Sequence, residues 1–78
     1  INEEYAKAVA SFKLALKNGI KRKGPVNMGI AEAEFYLENW ESAYAAIQEA
    51  KKDKNTAKSA EGWEGYIKDT ASRKGTEL

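Results

Sequence analysis

The chain is 78 residues long, 42% hydrophobic and 32% charged, with a net charge of +1. That suffices for one small domain, or part of a larger one, with a thin core; it is too apolar for intrinsic disorder and too evenly charged for a nucleic-acid footprint. It contains neither cysteine nor histidine, which removes disulfides, thiolate and imidazole ligands and the usual general base at neutral pH.

No apolar run nears the roughly 20 residues of a membrane helix, and the first residues lack the basic-then-apolar layout of a signal peptide. The chain opens on Ile1 and not on methionine, which leaves room for a targeting segment or further domains before it, so localisation is not read directly from these residues. No segment sustains period-two alternation, so no strand is predicted.

The first helix is predicted from about Glu3 to Lys17, with Asn2 as N-cap, acids in its first turn, Lys13 and Lys17 toward its C-terminal end and Asn18-Gly19 as the stop. Its apolar face (Tyr5, Ala8, Val9, Phe12, Leu16) exceeds what one neighbour covers. Homo-oligomer formation through helix 1 is therefore expected.

After the connector Ile20-Lys21-Arg22-Lys23-Gly24, Pro25 falls in the first turn of a second helix, where its missing N–H costs nothing. This helix is predicted to reach about Glu38. Val26, Ile30, Ala33 and Leu37 form one apolar stripe, and Met28, Ala31 and Phe35 form another roughly opposite. A helix apolar on two sides is contacted on two sides, as in a layered stack.

Asn39 interrupts, and a third helix carries Trp40, Ala43, Tyr44, Ile47 and Ala50 before Lys51-Lys52-Asp53-Lys54-Asn55 breaks the pattern. Sliding the sequence by 35 positions superposes Tyr5 on Trp40, Ala8 on Ala43, Phe12 on Ile47 and Ala15 on Ala50. An internal repeat is present. Each set falls on one helical face, with alanines where two helices approach closely and a large residue between them.

Thr56 can cap a fourth helix reaching about Lys74, with Ala60, Trp63, Ile67 and Ala71 as its buried stripe. Gly62 and Gly65 weaken it by roughly 1 kcal/mol each relative to alanine. The fold class is thus all-α, an antiparallel helix-turn-helix stack of about four helices.

With these residues in place the chain resembles the tetratricopeptide-repeat (TPR) family, whose repeats of about 34 residues pair two antiparallel helices, the second carrying aromatic-x-x-Ala-x-x-x-Phe-x-x-Ala. Tyr5-Ala8-Phe12-Ala15 and Trp40-Ala43-Ile47-Ala50 match that signature. Ile30-Ala31 stands where the family's first helix has Leu-Gly, and Gly65 takes the small-residue role in the fourth helix. Asn27 replaces the family's early tryptophan, Glu34 replaces its mid-helix tyrosine, and the closing proline is missing from both repeats.

The phase of the match implies that residues 1–20 are the second helix of a truncated repeat, 21–55 a complete repeat, 56–74 a C-terminal capping helix and 75–78 a tail. The segment from Gly29 through Lys54 with the helix after it also looks like the C-terminal end of bacterial periplasmic TPR proteins. That second resemblance implies the periplasm of a Gram-negative bacterium.

The resemblance implies a scaffold that binds a protein or peptide, not an enzyme, with a concave groove lined by the first helix of each repeat. By motif phase the groove residues are Met28, Glu32, Phe35 and Tyr36 from the second helix, with Tyr66 and Asp69 from the fourth. Met28 and Glu32 stand where family members that grip chaperone C-termini have lysine and asparagine, so that carboxylate clamp is not expected. An aromatic floor with acids suits an extended peptide carrying apolar and basic residues.

Met28 and Phe35 are equally explained as packing residues. Glu3, Glu4, Glu32, Glu34 and Glu38 read as solvated helix faces, since no nucleophile, histidine or glycine-rich phosphate loop accompanies them. Lys21-Arg22-Lys23 and the lysines of 51–54 read as exposed turns, too few to grip a polyanion. No catalytic residue, metal ligand or cofactor site is assigned. The rival function is a structural C-terminal cap of a longer TPR solenoid with no ligand of its own.

Overall fold

The computed structural model describes residues 2–78. Four α-helices account for most of them: α1 spans Asn2–Lys17, α2 Lys23–Tyr36, α3 Trp40–Ala50 and α4 Ala57–Arg73. No strand occurs among the described residues. Each helix packs on the next, and the connecting turns are so short that neighbours run antiparallel. α2 also touches α4, whereas α1 and α3 do not pack on each other. The helices therefore form two rows, with α2 and α4 closer together, in a slab of 35 × 30 × 15 Å.

Alanines set the helix spacing. Ala31, Ala43, Ala50, Ala60 and Ala71 are wholly enclosed, and Ile47 and Ile67 are the largest side chains with no solvent contact. Each isoleucine buried in this way contributes roughly 1.5–3 kcal/mol. Both predicted stripes of α2 are engaged: Val26, Ile30, Ala33, Ala31 and Phe35 are buried, and Met28 packs against the same core. Two-sided burial follows from α2 lying between α1 and α3.

The repeated positions differ in depth. Ala43, Ile47 and Ala50 on α3 are fully buried, but Ala8, Phe12 and Ala15 on α1 are only half-buried. The reason is the number of neighbours, since α3 packs against both α2 and α4 while α1 packs against α2 alone. Even so, α2 covers more of α1 than its apolar face suggested: Val9 is buried, and Phe12 and Leu16 pack onto the core. Tyr5, Ala8, Phe12 and Leu16 each remain partly exposed on α1, which α2 alone covers. Leu14, 58% exposed, is the large hydrophobic side chain that α1 leaves most open to water.

Three helices end in the same way. After α1, Gly19 has a φ of 81°, its N–H reaches the Leu16 carbonyl at 3.1 Å and the Ile20 N–H reaches Ala15 at 3.3 Å. Gly75 (φ 91°) does the same after α4, bonding Ser72 while Thr76 bonds Ala71. These are Schellman caps, which satisfy the last carbonyls through a left-handed residue. α2 uses the same geometry with Glu38, at a φ of 62°, in the glycine position; Glu38 N–H bonds Phe35 and Asn39 N–H bonds Glu34. This reversal ends α2 at Tyr36, two residues before the predicted boundary.

The helix starts depart from expectation. Asn2 is already helical. Thr56, the predicted cap of α4, does not cap through its side chain, and neither does Asn39 before α3, because both side chains are occupied elsewhere. Asn39 Nδ2 donates to the buried Glu34 carboxylate at 3.0 Å, and the Thr56 hydroxyl donates to the Ala50 carbonyl at 2.8 Å. Glu34 and Asn27 are both buried; Asn27 Nδ2 donates to the Lys23 carbonyl at 3.1 Å.

Two glycines exchange roles. A Cβ on Gly29 would stand 2.7 Å from the Phe12 ring, so the α1–α2 contact requires glycine there. A Cβ on Gly65 would meet nothing within 4 Å. The small-residue role expected of Gly65 is thus corrected: it faces open space and mediates no close approach.

Candidate functional site

The face shared by α2 and α4 carries a connected set of aromatic rings. Phe35, at 8% exposure, is their hub. Its centroid lies 5.1 Å from Tyr66 and 5.5 Å from Tyr36 and Trp63, with Trp40 at 5.4 Å. Trp63 meets Tyr66 edge-on at 5.7 Å, and Tyr5 stacks on Tyr36 at 5.1 Å with 22° between planes. The edge-on and offset geometries are those that the ring quadrupoles favour. Six rings from all four helices thus form one continuous strip.

The helical period explains how they converge. Phe35 and Tyr36 are adjacent in sequence and so diverge by about 100°, which sends one ring into the interior and leaves the other 52% exposed. Trp63 and Tyr66, three residues apart, share one face of α4. Trp63 is half-buried and Tyr66 is 53% exposed. With Ser59 and Gly62 they line a shallow pocket of about 410 Å³.

The six candidate groove residues divide accordingly. Tyr36 and Tyr66 are each about half in solvent, and each packs against Phe35. Phe35 supports both rings from beneath and offers almost no surface of its own, while Met28 is half-buried against the core. Glu32 is exposed and lies beside Tyr36 in a second hollow, between α1 and α2. Asp69 is exposed and pairs with Arg73 one turn along, which offsets its charge.

Tyr5 and Trp63 belong to the aromatic strip but were read as core positions from the sequence. The signal for Trp63 was its spacing to Tyr66. Nothing in the sequence pointed from Tyr5 to Tyr36, because that contact joins two helices.

The charges elsewhere tie turns together. Glu64 accepts hydrogen bonds from Gln48 at 2.6 Å and Lys51 at 3.0 Å, and these hold its carboxyl below the ordinary glutamate range. Arg22 of the basic connector lies 3.5 Å from Asp53, which also accepts the Asn55 N–H at 2.9 Å. No group of side chains suited to holding a metal ion occurs among the described residues, and no helix is long and apolar enough to cross a membrane. No family model, no curated protein and no solved structure matches the chain.

Proposed function

We propose that this chain is a protein-interaction module of the TPR kind that binds an extended peptide across the α2–α4 face. The observation that carries the proposal is the exposure of Tyr36 and Tyr66, each about half in solvent and each packed against the buried Phe35. Large aromatic side chains held rigidly from behind and left bare in front are what interface anchors require. Peptides selected from a random library against the chain test this directly. Tyr36→Ala and Tyr66→Ala should each weaken a selected peptide by about 1–3 kcal/mol with the helical circular dichroism retained. Mapping of the bound peptide onto the Lys51–Lys54 turn or the outer side of α3 would sink the assignment.

A structural cap remains the second reading, and one observation favours it. The outward side of α4 carries Lys58, Glu61, Gly65, Lys68 and Ser72, all exposed and none apolar. A polar outer face is what a terminal helix of a stacked array presents. The two readings differ on the aromatic face, which binds a peptide in the first and has no ligand in the second. A TPR-type scaffold in the periplasm follows from the resemblance alone.

A further inference from the structure

The hollow between α1 and α2 differs from the rest of the surface in its chemistry. It measures about 230 Å³, below the usual range for a drug-sized ligand and on the scale of one long side chain. Tyr5 and Tyr36, stacked on one another, line it together with Phe12, whose ring lies against Gly29. Glu32 is the one charged side chain among the described residues that line it, and it takes part in no ion pair among them. The α1 residues that face it, Tyr5, Ala8 and Phe12, bring no cation.

Resting on the peptide-binding reading above, we infer that this hollow seats a basic side chain of the bound peptide, with arginine the best fit. The inference stands on charge complementarity together with shape. A lone carboxylate beside aromatic rings attracts a cation twice, through the ion pair and through the electron-rich ring faces. A guanidinium is planar, weakly hydrated and able to pair with a carboxylate while lying along a ring. An acidic side chain would meet Glu32 directly, and an uncharged one would leave that carboxylate partly desolvated without a partner. Tyr36 joins the two parts of the surface, because it stacks on Tyr5 in the hollow and touches Phe35 in the strip. The basic residue is thereby placed at the α1 end of a peptide whose apolar part lies toward Tyr66.

The test uses a peptide selected against the whole chain, its arginines replaced one at a time by citrulline, which keeps the shape and removes the charge. One replacement should weaken binding about tenfold at low salt, and Glu32→Gln should reduce affinity similarly while abolishing the difference between the arginine and citrulline peptides. Glu32 is exposed, so this variant is expected to fold, and circular dichroism checks that it does. If Tyr66→Ala weakens binding while citrulline and Glu32→Gln do not, the peptide site stands and the arginine seat is wrong. If selected peptides carry no basic residue, the seat is likewise wrong. If no peptide binds up to about 1 mM, both proposals fall.

Discussion

At the scale of single residues, three backbone positions make opposite demands that share one readout. Gly65 lies in an exposed helix interior with nothing near its missing Cβ, so Gly65→Ala should stabilise the chain by roughly 0.5–1 kcal/mol. Glu38 is held at a φ of 62°, a conformation that costs a residue with a side chain about 1 kcal/mol, so Glu38→Gly should also stabilise. Gly29→Ala should destabilise, because the Phe12 ring occupies the space the methyl group needs. For a domain of this size 1 kcal/mol moves Tm by about 4–8 °C, so thermal melts resolve all three signs. A rise in Tm for Gly29→Ala would show that Phe12 is free to move aside.

Helix pairs are fastened by few polar ties, and the one between α3 and α4 is sensitive to pH. The Glu64 carboxyl is held below its ordinary range, first by the Gln48 hydrogen bond and then by Lys51. A lowered carboxyl pKa means that the charged form is favoured in the folded chain. The resulting stability is present above the unfolded glutamate value of about 4.3 and is lost as pH falls through the folded value. Melting temperature should therefore fall on acidification below about pH 4.3, and Glu64→Gln should show a smaller fall over the same interval. Equal acid sensitivity in both proteins would remove Glu64 from the account. The Arg73–Asp69 and Lys52–Glu49 pairs lie in solvent, where such pairs contribute little.

At the scale of the whole molecule, cohesion is uneven because contact is uneven. α3 is covered on two sides and holds the fully buried Ala43, Ile47 and Ala50; α1 has α2 alone and a single buried residue, Val9. Local opening follows the number of buried contacts. Amide hydrogen exchange should therefore show α1 opening at lower free energy than α3, with the amides following Ile47 among the slowest. Uniform protection across the helices would show that the chain unfolds as one unit. The same unevenness bears on function, since the proposed arginine seat is lined in part by α1, the helix with one packing neighbour and one buried residue. A ligand joining Tyr5 of α1 to Tyr36 and Glu32 of α2 should slow exchange in α1 most.

Helix number, turn positions and the buried stripes of α3 and α4 were legible because each depends on periodicity within one segment. Ala43, Ile47 and Ala50, like Ala60, Trp63, Ile67 and Ala71, recur every three or four residues, and that spacing alone places each set on one side of a helix, although Trp63 is only half-buried there. Tertiary structure decided the rest. Periodicity shows which residues share a side but not which sides meet another helix. Phe35 and Tyr36 looked alike as groove candidates until α4 covered one and left the other bare. Gly29 and Gly65 are the same residue in the same kind of helix, separated only by whether Phe12 arrives. The reversal at Glu38 was hidden because glutamate carries no local preference for a left-handed backbone; the packing of α2 against α3 across a short turn imposes it. Each of these outcomes comes from the approach of a second element, and a pattern within one segment carries no information about that approach.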